Sequence, residues 1–118
     1  MSICDGKHHI KYVKFSISEL ADSIDQSLVS SVSIEDAHRT NDLKLLESFR
    51  ETTVILGLID VAKSRIEEAH QIRKRISSAL QHFSADRLIA APDCGLGLLN
   101  RQLARAKLKN LCNAAHSF

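Results

Sequence analysis

Four times along this 118-residue chain a short apolar, β-branched run gives way to a segment with helical periodicity. That alternation confines the fold to βα units, because strands separated by helices pair in parallel through right-handed crossovers. The predicted strands lie near 8–15, 29–35, 54–60 and 87–91. The first, Ile10 to Phe15, leads into a helix through Ile17, Leu20, Ala21, Ile24 and Leu28, with Ser16 and Glu19 spaced as a capping box. The second, Val29 to Ile34, leads into a short helix over about Asp42 to Arg50, with Thr40 or Asn41 as its cap. The third, Val54 to Ile59, is apolar on both faces, as a parallel strand covered by helices should be. Its helix carries Ile66, Ala69, Ile72, Ile76, Ala79, Leu80 and Phe83 on one side and Glu67, Glu68, Lys74 and Arg75 on the other. The fourth, Leu88 to Ala91, passes through Pro92-Asp93-Cys94-Gly95 into a helix that buries Leu103, Ala106, Leu111 and Ala115 and exposes Arg101, Arg105 and Lys109. The single proline stands outside every predicted helix interior. Four such units amount to half of an eight-fold barrel.

Charge excludes two partner classes. Sixteen basic against 14 acidic residues leave a formal charge of +2, too small to drive binding to nucleic acid or to an anionic membrane surface. No apolar run approaches the length that spans a bilayer, and Met1 to Lys14 contains no signal-like apolar core. Three cysteines, Cys4, Cys94 and Cys112, are an odd number at wide spacing and fit free thiols in a reducing, cytoplasmic setting.

Parallel barrels place their chemistry at the C-terminal rim of the strands. Polar residues fall there: Glu35 after Ser33-Ile34, Asp60 after Leu58-Ile59, and Asp93-Cys94 after Ala90-Ala91. His9 and Lys11, two apart on the first strand, face the same way. His9, Glu35 and Cys94 together offer nitrogen, oxygen and sulfur ligands of the kinds zinc accepts. Each also has a plainer role open to it, as a solvated histidine, a capping glutamate and a small packed thiol. His8, His38, His70, His82 and His116 have no ligand-like spacing and read as surface or packing residues.

Four motifs in order, His9-Ile10-Lys11-Tyr12-Val13-Lys14-Phe15, Ser33-Ile34-Glu35, Asp42-Leu43-Lys44-Leu45-Leu46-Glu47-Ser48-Phe49 and Pro92-Asp93-Cys94-Gly95-Leu96, resemble the C-terminal catalytic domain of cobalamin-independent methionine synthase and its shorter archaeal-type relatives. Leu56 to Val61 and Asp86 to Ile89 fit the same pattern, so the likeness runs from about His8 through nearly the whole chain. It implies the last four βα units of a TIM-like (β/α)8 barrel, a partial domain over 1–118 with 1–7 as an N-terminal extension. It also implies methyl transfer from a methyl-folate to the thiol of homocysteine, with a zinc ion holding that sulfur as thiolate.

Carried over by position, the zinc ligands implied are His9, Glu35 and Cys94, with Asp60 and Asp93 at the site rim. One position departs. Where the family motif has a cysteine ligand this chain has Lys11, whose ammonium repels a metal ion, so zinc is expected to be weakened or lost. The expectation is therefore a truncated or inactive methyltransferase domain, or a non-catalytic structural or interaction module derived from that barrel. Its open sheet edges would be met by a second copy or by the missing barrel half.

Overall fold

A computed structural model describes residues 2–3 and 17–118 of the chain, with side chains from residue 19 onward. Four parallel strands lie side by side in chain order: β1 (Ser2–Ile3), β2 (Ser31–Glu35), β3 (Thr53–Gly57) and β4 (Leu88–Ala91). The run predicted as a first strand at 8–15, with His9 and Lys11 in it, lies outside the described residues, as does Ser16. The α-helices are α1 (Ile17–Asp25), α2 (Ala69–Ala79) and α3 (Arg101–Ala115).

The pleat decides which side of the sheet the helices cover. Val32, Val54 and Leu88 share one row and Ile34, Leu56 and Ala90 the next, all turned to the helix layer. There they pack with Ile72, Ile76, Ala79, Leu111 and Ala114. Ser33, Ile55 and Ile89 form the intervening row on the opposite face, and Ile89 is 49% exposed. Ser33 and Ile55 are half-buried, so this face is less deeply buried than the helix-covered one. β2, β3 and β4 stand where the sequence places them, each followed by helix in the predicted order, whereas the described strand beside β2 is Ser2–Ile3, within the 1–7 segment expected as an extension.

Several local expectations change. The second helix is a 3-10 turn, Leu43–Ser48, capped by Asp42, which accepts from the Lys44 N–H at 3.1 Å, rather than by Thr40 or Asn41. Six residues suffice to seat Leu43, Leu46 and the following Phe49 in the core, so no longer helix is needed. α1 ends at Asp25, and Leu28, expected on its apolar face, is fully exposed in the turn beyond it. α2 starts at Ala69, leaving Ile66 outside the helix at 41% exposure. Arg75 and Glu67 do not stay on a solvated face: each reaches a buried ionic partner. In α3 the fully buried residues are Lys107, Leu111 and Ala114, with Leu103, Ala106 and Ala115 only half-buried.

Candidate functional site

The sheet's C-terminal rim is built by three chain segments that leave adjacent strands. Glu35 is the last residue of β2, opposite Gly57 of β3, which is opposite Ala91 of β4. Pairing continues past the strand ends: Leu58 N–H donates to Ala91 O at 2.7 Å and Asp93 N–H to Ile59 O at 3.0 Å. This draws Asp93 and Cys94 up to the rim beside the residues that follow β3.

Asp93 then reaches across to β2. Its Oδ1 accepts from the N–H groups of Asp36 and Ala37, both at 3.1 Å, and its Oδ2 from the N–H of His38 at 2.7 Å. The carboxylate passes directly over Gly57. A Cβ on that residue would overlap Asp93 Oδ1 and sit 2.8 Å from the Asp93 Cα, so the strand needs glycine there. Asp93 is 4% exposed, and burial pushes its pKa up. The three N–H donors pull it back down, while the neighbouring Glu35 charge adds to the rise.

Glu35 itself is half-buried, and its carboxylate has no hydrogen bond or ion pair among the described residues. Only its carbonyl is engaged, by Asn41 Nδ2 at 2.7 Å. Cys94 is a free, exposed thiol, which removes the plainer reading of it as a small packed residue. Glu35 precedes Asp36 and Cys94 follows Asp93, so the hydrogen bond from the Asp36 N–H to Asp93 Oδ1 ties the backbones next to both residues at one rim. Glu35 and Cys94 are an oxygen and a sulfur donor of the kind zinc takes, and neither is spent on another partner among the described residues. His9, the expected third ligand, and Lys11 lie outside the described residues. Among the described residues no three His, Cys, Asp or Glu side chains form a metal-holding group.

Asp60, the other expected rim residue, is 5% exposed. Its Oδ1 accepts from the Ala62 N–H at 2.9 Å and lies 3.9 Å from His38 Nδ1. Its Oδ2 meets Lys63 Nζ at 2.9 Å as an ion pair that is off the hydrogen-bond axis. Burial acts to raise its pKa, and Lys63 with the Ala62 N–H outweighs that, holding it below the ordinary carboxylate value. Asp60 lines an open cavity of about 370 Å³ with Asp36, Thr40, Lys63, Arg65 and Arg75.

Two supports were not foreseen from sequence. Asp36 receives Arg75 bidentately, at 2.6 and 2.7 Å, together with the Asn41 N–H at 2.8 Å, which fixes the loop after Glu35 to α2. Lys107 is 0% exposed and donates to Asp60 O, Arg65 O and both oxygens of Glu67. Glu67 in turn accepts the Asp60 N–H at 3.0 Å, so the segment that leaves β3 is pinned to α3. A signal for Lys107 existed: it stands four residues after Leu103 and four before Leu111, inside the apolar stripe of its helix.

Comparison with known proteins gives the family and the fold. Residues 6–117 match the family described as cobalamin-independent synthase, catalytic domain. A methionine synthase from Thermococcus kodakarensis is 34% identical over 104 residues, covering 87% of this chain and 30% of that protein. A probable 5-methyltetrahydropteroyltriglutamate--homocysteine methyltransferase from Schizosaccharomyces pombe is 29% identical over 113 residues, 94% of this chain and 14% of that one. A solved B12-independent methionine synthase from Shewanella sp. W3-18-1, in complex with selenomethionine, superposes with a TM-score of 0.79 at 31% identity. It covers 84% of this chain and 29% of its own. The chain therefore spans about 30% of the length of the archaeal relatives it matches, and less of the longer ones.

Proposed function

Because the chain belongs to the family of cobalamin-independent synthase catalytic domains, we propose that its rim is the metal-holding part of a methyltransferase site that moves a methyl group from a methyl-folate to the thiol of homocysteine. The observation that supports this reading is the Asp93 clasp, which ties the backbone next to Glu35 to the residue before Cys94, with the Glu35 carboxylate and the Cys94 thiol free of other partners among the described residues. His9 completes the ligand set. When bound, zinc lowers the pKa of a coordinated thiol and so supplies a thiolate nucleophile at neutral pH.

The chain's own residues do the rest of the work. Glu35 and Cys94 bind, Asp93 and Arg75 hold the backbone that carries Glu35, and Lys107 with Glu67 holds the segment bearing Asp60. Lys11, at the family's cysteine-ligand position, disfavours metal binding, as a charged ammonium has no lone pair to offer and adds positive charge. Zinc binding in this chain is therefore weak. Turnover by the chain alone is absent, because positioning a folate and an amino acid takes residues from more of the barrel than these strands provide.

Metal analysis of the purified chain tests this. Glu35→Gln and Cys94→Ser each lower bound zinc, whereas Lys11→Cys restores a soft ligand and raises affinity by roughly 10-fold or more. No gain in bound zinc on Lys11→Cys would refute the proposed ligand set.

A further inference from the structure

We infer that Asp93 is the positioning residue that sets the separation of the two metal ligands, Glu35 and Cys94, an inference that rests on the zinc reading above. The covalent path from one ligand to the other runs through 58 intervening residues, yet the Asp93 carboxylate shortens it to almost nothing. The Asp36 N–H that donates to Asp93 Oδ1 belongs to the peptide joining Glu35 to Asp36, and Cys94 is the residue next to Asp93. Each ligand is thus one residue from the clasp.

Two further features give the clasp one geometry. Both oxygens are engaged, Oδ1 by Asp36 and Ala37 and Oδ2 by His38, so the carboxylate plane is fixed by three donors rather than free to turn. Gly57 lets the carboxylate lie flat across β3, and the Asp93 N–H is itself tied to Ile59 O at 3.0 Å. An amide in place of the carboxylate keeps one acceptor and turns an NH2 group toward backbone N–H donors, which frees part of the 36–38 loop. Ligand spacing then relaxes, and a metal site a fraction of an ångström too loose loses affinity steeply.

The test uses cobalt(II) as a spectroscopic stand-in for zinc on the full chain. Wild type shows a thiolate-to-metal absorption band that disappears in Cys94→Ser. Asp93→Asn, with its fold checked by circular dichroism, weakens cobalt binding by at least about 10-fold. If Asp93→Asn does not fold, Asp93→Glu keeps the charge and moves it one methylene farther, and the same loss is expected. An Ile76 variant matched to the Asp93 variant in melting temperature, altered within the helix layer, keeps wild-type affinity and band. Undiminished cobalt binding in both Asp93 variants, or equal loss in the Ile76 variant, overturns the positioning role. Absence of any Cys94-dependent band in wild type instead overturns the metal reading on which it rests.

Discussion

Replacing Lys107 with Met removes the ammonium while keeping most of the side-chain volume. Lys107 Nζ lies 3.0 Å from Asp60 O and 2.9 and 3.1 Å from the two Glu67 oxygens, and it also donates to Arg65 O. In the variant the Glu67 carboxylate keeps only the Asp60 N–H, and two carbonyls lose a buried donor. Removing one partner of a buried ion pair costs about 3–5 kcal/mol. The Glu67 side chain is 19% exposed, so water recovers some of that and the expected loss sits near about 3 kcal/mol. For a chain of this size that corresponds to a fall in melting temperature of roughly 10–15 °C. Thermal and urea unfolding followed by circular dichroism reads it directly. Adding Glu67→Gln removes the stranded charge while keeping an acceptor for the Asp60 N–H, so the double variant should be more stable than Lys107→Met alone. A melting shift under about 2 °C for the single variant, or a double variant whose losses simply add, would refute the account of Lys107 and Glu67 as one coupled unit.

Gly57→Ala forces a methyl group into Asp93, whose Cα is only 2.8 Å from the new atom. A loss of about 2–4 kcal/mol is expected in urea melts, since backbone and not a side-chain tip must move. Asp25, which accepts the N–H groups of Arg50, Glu51 and Thr52, gives a pH signature. Burial acts to raise its pKa, and hydrogen bonds from Thr52, Glu51 and Arg50 outweigh that, lowering it from 3.8 to about 2. The stability it lends is therefore full above pH 4 and lost as pH falls toward 2, and Asp25→Ala should cost about 1–2 kcal/mol at neutral pH and almost nothing near pH 2. With Ile89 half-exposed on the sheet face opposite the helix layer and β4 at the sheet edge, sedimentation at micromolar concentration should show a dimer or larger species. A compact monomer with a high, cooperative melt would refute this.

Local chemistry carried much of this protein into view from sequence alone. The apolar runs at 31–35, 53–57 and 88–91 and the periodicities of α1 to α3 depend on residues within a few positions of each other, so the order of β2 to β4, the helix order and the strand-end positions of Glu35, Asp60 and Cys94 could be read without coordinates, whereas the strand at Ser2–Ile3 was not. Tertiary structure decided which polar groups meet. Asp93 finds its three N–H donors 55 to 57 residues away, Arg75 finds Asp36 across 39, and Lys107 finds Glu67 across 40. Periodicity assigns Arg75 and Glu67 to a solvated helix face because it registers only the hydropathy of near neighbours. Whether a charged side chain ends in water or in a buried pair depends on what a distant segment places against it. The same holds for Gly57, an ordinary apolar-run residue in sequence, whose missing side chain is what lets Asp93 cross the strand and bring Glu35 and Cys94 to one edge.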